Sequence, residues 1–156
     1  STRTTMRSAL GGVLVQDRDN RTDRAEDLHT VTATIPTPAQ VDDMLFAAKV
    51  VKHCRSNAIV LAHARTLCAS GVGQTSRVDS LRQAIAKAKA FGMPLDGAVM
   101  ASDAFFPFGD CVQIAHEAGI TAVIQPGGSI RDHESVEYCD AHGLAMSMTG
   151  IRHFRH

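Results

Sequence analysis

"GAVMASDAFFPFGDCVQIAHEAGITAVIQPGGSIRDHESVEYCDAHGLAMSM", residues 97–148, decides the fold. Three apolar runs of strand length stand in it: 97–103, 120–125 and 144–148. Helical segments, 110–118 and 131–142, lie between them. Strands that alternate with helices, each apolar on both faces, predict a sheet covered by helices on both sides. The right-handed crossover rule makes these three strands parallel neighbours or near neighbours.

Upstream the pattern continues. "NAIVLA" (57–62) is a continuous apolar run, and "TLCASGVG" (66–73) reads as its partner strand. Thr37 and Pro38 have the character of an N-cap and a first helical residue, for a helix running to about Arg55. Val41, Met44, Leu45, Ala48 and Val51 repeat there at helical spacing. A second helix starts near Ser76 and carries Val78, Leu81, Ile85 and Ala88 on one face. "GGVLVQDRD" (11–19) reads as a short strand, followed by a polar connection to Pro36. The expected fold is one α/β domain, a three-layer α/β/α unit with a mixed, partly parallel sheet.

Composition agrees. A chain of 156 residues, 44% hydrophobic and 21% charged, fits a single globular domain that needs neither disulfide nor metal to hold its core. Sixteen basic residues balance sixteen acidic ones, with no basic stripe for nucleic acid or an anionic membrane. No apolar run reaches the roughly 18 residues of a membrane span. "STRTTMRSALGG" lacks a signal-peptide core, and the first residue is Ser, as in a processed chain or a segment of a longer one. Cys54, Cys68, Cys111 and Cys139 are widely spaced, which argues against structural zinc and for free thiols in a reducing cytosol.

Ligands of open α/β sheets bind at the carboxyl ends of strands, and three such ends are unusual here. "ASDAFFPFGD" (101–110) concentrates Phe105, Phe106 and Phe108 in a chain that has six Phe, one Tyr and no Trp. Two readings stand: core, or the wall of a site for a flat ring, with Pro107 stiffening the turn. "QPGGSIRD" (125–132) turns sharply and brings Ser129 to a helix start, whose amides suit a phosphate or carboxylate; plain turn geometry is the alternative. "SGVGQTSRVDS" (70–80) is a third glycine-containing turn, with Arg77 in the first turn of a helix. The chain has no Gly-x-Ser-x-Gly elbow, no phosphate loop and no zinc-deaminase signature. "RHFRH" (152–156) reads either as a solvated tail or, given Phe154, as one that docks.

"SNAIV", "GVGQTSRVDS", "ASDAFFPFGD", "AGITAVIQPGGSIRD" and "RHFRH", in that order, resemble the bifunctional AICAR transformylase/IMP cyclohydrolase family of purine biosynthesis. The resemblance runs from "GGVLVQDRD" to His156, and several motifs in fixed order make it specific. It implies that residues 1–156 are the C-terminal subdomain of the transformylase domain, a cytidine-deaminase-like unit without zinc. The implied reaction is formyl transfer from 10-formyltetrahydrofolate to the amine of AICAR, in a cytoplasmic homodimer whose parent chain also carries the cyclohydrolase. The N-terminal half of the transformylase domain is the implied partner, with no nucleic acid or membrane partner.

By the same resemblance, Asn57 helps position AICAR and the formyl group. Arg77, Phe105 and Arg152 are implied AICAR contacts. Val78, Pro107, Phe108, Asp110 and Ser129 line the folate pocket, and Asp103 lies near a bound potassium ion. Three departures stand out. The family's Lys-His segment is absent, and Lys52-His53, at a helix end and without the following Pro-Cys-Gly, is coincidental. Gly109 stands where the family has Arg, which removes a cation. "AHARTLCAS" replaces a Lys-Asn-Gly-type hairpin. A non-catalytic binding or assembly module of the same fold is the alternative.

Overall fold

The computed structural model describes residues 4–9, 12–17 and 25–150. Strands β1 (Thr4–Ala9) and β2 (Gly12–Asp17) pair antiparallel as a two-stranded sheet. The second of them is the strand expected at 11–19, whose remaining residues lie outside the described ones. After a 3-10 turn at Ala25–Asp27 come β3 (His29–Thr30), α1 (Pro38–Lys52), β4 (Ile59–His63) and β5 (Thr66–Gly71). Helix α2 (Arg77–Ala90), β6 (Val99–Ser102), α3 (Asp110–Glu117), β7 (Ala122–Gln125), α4 (Asp132–His142) and β8 (Ala145–Met148) complete the order.

Six strands form the main sheet in the order β3-β8-β7-β6-β4-β5. Strands β6, β7 and β8 are adjacent and parallel, as the crossover argument requires. Strand β4 runs antiparallel to both β5 and β6, and β3 runs antiparallel to β8 at the edge, so the sheet is mixed.

Successive side chains on a strand point to opposite faces, and both faces here are apolar. Ile59, Leu61, Met100, Val123 and Met146 pack with Leu81, Ala84 and Ala88 of α2, Cys111, Val112 and Ala115 of α3, and Cys139 of α4. Val60, Ala62, Val99, Ala101, Ala122, Ile124 and Ala145 face Met44, Ala47, Ala48 and Val51 of α1. Three helices cover one face and one covers the other. The result is the expected α/β/α arrangement.

Helix α1 starts where its cap residues dictate. Thr37 Oγ1 accepts from the Gln40 amide at 3.2 Å, and Gln40 Oε1 accepts from the Thr37 amide at 2.9 Å, a reciprocal capping box with Pro38 at the first position. It stops at Lys52 rather than Arg55, because the His53 and Cys54 amides fold back onto the carbonyls of Val50 and Val51.

The β4–β5 connection is a two-residue hairpin with Ala64 at φ 49° and Arg65 at φ 55°. Asn-Gly favours this left-handed pair of conformations, which cost other residues about 1–2 kcal/mol each. Asp43 of α1, only 6% exposed, offsets that cost. Its carboxylate accepts from the Ala64 amide at 3.0 Å and the Arg65 amide at 2.7 Å. The altered hairpin sequence thus keeps a tight turn through a side chain from another element.

All four cysteines are free. Burial pushes the Cys111 and Cys139 thiols up to about 12, and raises Cys54 and Cys68 as well. None has the lowered pKa of a nucleophilic thiol. No helix among the described residues is long and apolar enough to cross a membrane.

Candidate functional site

Strand register gathers the unusual loops on one edge of the sheet. Ile59, the first residue of β4, pairs with Ser102 at the end of β6 and with Gly71 at the end of β5. The chain before β4 therefore meets the chain leaving β5 and the parallel strands β6, β7 and β8. This is the edge where an open α/β sheet binds ligands. The first turn of α2 lies tight against it, since a Cβ on Gly71 would overlap the Ser80 carbonyl.

A buried polar network sits at this edge. Arg77, 7% exposed, forms an ion pair through Nη1 with Asp103, which is fully buried. Its Nη2 donates to Asn57 Oδ1 at 2.9 Å, and Asn57 Nδ2 donates to the Gln74 carbonyl at 3.0 Å. Those two bonds fix which way the Asn57 amide faces. Ser80 Oγ donates to the Asn57 carbonyl at 2.7 Å. Asp103 also accepts from Ser56 Oγ at 2.6 Å and the Ala58 amide at 3.2 Å. Arg77 Nε is buried with no hydrogen-bond partner among the described residues. A buried donor without an acceptor costs about 1–3 kcal/mol, so a ligand acceptor placed there would be rewarded.

The aromatic turn divides its three rings between roles. Phe106 is fully buried in the core under α2, α3 and α4, and its amide donates to Gln125 Oε1 at 3.3 Å. Phe105 is half-buried, Pro107 is exposed and Phe108 is 48% exposed. The core reading holds for Phe106, while Phe105 and Phe108 stay partly exposed at the turn. The Arg131 guanidinium lies 4.8 Å from the Phe108 ring centroid. The N-cap of α4 thus puts a cation beside the turn at Gly109.

Glu134 locks this arrangement. It accepts from Arg131 Nε at 2.7 Å and from the Gly109 amide at 3.3 Å, and the Arg131 bond holds its carboxyl below the usual value. A Cβ on Gly109 would stand 3.3 Å from Glu134 Cβ, so the small residue suits the close approach of α4. Asp110 opens α3 exposed, where the helix dipole favours a negative charge.

The Gly127-Gly128-Ser129 turn answers its anion question from within the chain. Asp132 accepts from the Gly128 amide at 2.9 Å and from the Ser129 amide at 3.2 Å, while Ser129 Oγ accepts from the Arg131 amide at 3.1 Å. Those amides are not open to a phosphate. Gly127 and Gly128 have φ of 76° and 110°, which explains the glycine pair by geometry.

The structure thus joins Asn57, Arg77 and Asp103 directly, and puts Phe105, Pro107, Phe108, Asp110 and Ser129 on the same edge. Val78, half-buried, packs against the core. Arg152 and the "RHFRH" tail lie outside the described residues. Sequence reasoning missed Ser56, Gln74, Ser80, Asp132 and Glu134, all polar residues beside the motifs that it selected. Of these, Asp132 carried a readable signal, the Ser-x-x-Asp spacing at a helix start.

The family described as AICARFT/IMPCHase bienzyme matches residues 1–87 of the chain. The "Bifunctional purine biosynthesis protein PurH" of Bacteroides thetaiotaomicron is 64% identical over 150 residues, covering 96% of this chain and 30% of that protein. Its namesake in Aquifex aeolicus is 54% identical over 151 residues, covering 97% of this chain and 29% of its own length. The chain spans about 30% of the curated relatives it matches. Among solved structures, a Thermotoga maritima diaminohydroxyphosphoribosylaminopyrimidine deaminase/5-amino-6-(5-phosphoribosylamino)uracil reductase aligns at TM-score 0.47 and 21% identity, over 66% of this chain and 33% of that one. Sequence motifs, matched span and relatives agree: the chain belongs to the AICARFT/IMPCHase bienzyme family.

Proposed function

We propose that this chain supplies the substrate and cofactor walls of an AICAR transformylase in purine biosynthesis, within a larger cytoplasmic, homodimeric enzyme that also carries IMP cyclohydrolase. The observation that carries the reading is the Arg77–Asn57–Asp103 network, which holds two polar side chains rigidly at the ligand-binding edge and keeps one buried guanidinium donor unassigned.

In the proposed reaction, the AICAR amine attacks the formyl carbon of 10-formyltetrahydrofolate. A new C–N bond forms, the bond to N10 of the folate breaks, and the amine proton leaves as N10 gains one. The amine is a weak nucleophile, conjugated with its imidazole and carboxamide, so orientation and proton handling dominate. Asn57 orients the amine and the formyl oxygen. Arg77 and Arg152 hold the polar groups of AICAR, and Phe105 stacks on its ring. Val78, Pro107, Phe108, Asp110 and Ser129 flank the folate, with Asp110 accepting from pterin N–H donors.

Asp103 is committed to Arg77 and Ser56 and is not free to act as general base for the amine proton. The N-terminal half of the transformylase domain supplies that step. A potassium ion beside Asp103 fits the donor set only at Oδ2, which accepts one hydrogen bond among the described residues, from Ser56. Arg77 already balances the Asp103 charge, so such an ion would add a positive charge beside the pair.

Tetrahydrofolate release by the isolated chain, with AICAR and 10-formyltetrahydrofolate at saturating concentrations, tests this division of labour. No release above the buffer rate is expected. Appreciable turnover would place the proton-moving groups within these residues and overturn the reading.

A further inference from the structure

A second cluster lies at the opposite ends of the two helices that frame the aromatic turn. His116 closes the last turn of α3 and His142 ends α4, with Tyr138 one turn before it. The two imidazole centroids are 5.1 Å apart. His116 Nδ1 hydrogen-bonds the Tyr138 hydroxyl at 2.9 Å, and His142 Nδ1 hydrogen-bonds the Tyr138 carbonyl at 2.9 Å. Tyr138 also stacks on the His142 ring at 4.0 Å and 21°. One tyrosine therefore fixes both rings, and in each it engages the same nitrogen.

We propose that His116 and His142 form a two-histidine site for a divalent transition metal ion, Zn2+, Ni2+ or Cu2+, clipping the C-terminal ends of α3 and α4. Two observations carry it. Metal–nitrogen bonds of about 2.0–2.1 Å at a tetrahedral angle, with the ring radius of about 1.2 Å added, put two ligating imidazole centroids roughly 5.2 Å apart. The 5.1 Å spacing matches. Ligating histidines almost always donate their other ring N–H to an oxygen, which orients the ring and raises its basicity. Here both Nδ1 atoms already have an oxygen partner, leaving both Nε2 atoms for the metal.

Among the described residues no group of three or more His, Cys, Asp or Glu is placed to hold a metal. Water completes the coordination, and Cu2+ binds most tightly by the general order of divalent affinities. The site is independent of the transformylase reading.

Calorimetric titration of the chain with ZnCl2, NiCl2 and CuSO4 tests it, in a His153→Ala/His156→Ala background that removes the tail histidines. One ion per chain is expected at pH 7.5. His116→Ala and His142→Ala should each weaken binding at least ten-fold. Tyr138→Phe, which removes the hydroxyl, should weaken it about ten-fold. Should a variant fail to fold, Cu2+ broadening of the ring NMR signals in the unsubstituted pair serves instead, with His116 and His142 expected to broaden first. No binding at pH 7.5, binding unchanged in both alanine variants, or first broadening at other histidines would overturn the proposal.

Discussion

Replacing Asp103 by alanine is expected to destabilise the fold by about 3–5 kcal/mol, the cost of stranding one partner of a buried ion pair. Asp103 is fully buried and Arg77 is 7% exposed, so water cannot solvate the guanidinium left behind. The Ser56 hydroxyl and the Ala58 amide would lose their acceptor in the same step. Domains of this kind are stable by only about 5–15 kcal/mol, so the urea midpoint should fall by about a fifth or more. Arg77→Met in the same chain should recover part of the loss, because it removes the stranded charge. A side chain whose main business was an exposed cation would behave differently, costing less than about 1 kcal/mol.

The second large effect separates the three phenylalanines of residues 101–110. Phe106→Ala should cost about 3–5 kcal/mol, as expected for a large ring deleted from a close-packed core. The ring is fully buried, in the core cluster that also holds Leu81, Met100 and Val112. Phe108→Ala should cost no more than about 1 kcal/mol, the loss of a half-exposed ring and its contact with Arg131. Thermal unfolding of the two variants side by side is the check. Similar losses for both would mean that the turn is one hydrophobic plug, with no wall left to face a ligand.

Much of this architecture was legible in the sequence because it rests on local rules. Thr37-Pro38 set the start of α1, Ser76 caps α2, and the runs at 59–63, 99–102, 122–125 and 145–148 are strands buried on both faces. Strands β1 and β3 were not legible. "TTMRSA" has no clean alternation, and the two residues of β3 are exposed and polar, held only by pairing to β8.

The candidate site was legible as positions more than as a network. Asn57 and Asp103 come from two loops and Arg77 from the first turn of α2, 20 and 26 residues apart along the chain, and only the tertiary fold joins them. The capture of the Gly128 and Ser129 amides by Asp132 is local, a Ser-x-x-Asp spacing at a helix start. The pairing of Glu134 with the Gly109 amide depends on how α4 settles against α3, and no spacing rule encodes that. The same holds for Asp43, whose carboxylate keeps a hairpin tight without Asn or Gly.

The most direct test is a titration of AICAR into the isotope-labelled chain, followed by amide and side-chain NMR shifts. Shifts centred on Asn57, Arg77 and Phe105, with the Arg77 Nε–H among the largest, are the predicted result. Shifts confined to residues away from this sheet edge, or none at millimolar AICAR, would contradict the claim that these residues form a substrate wall.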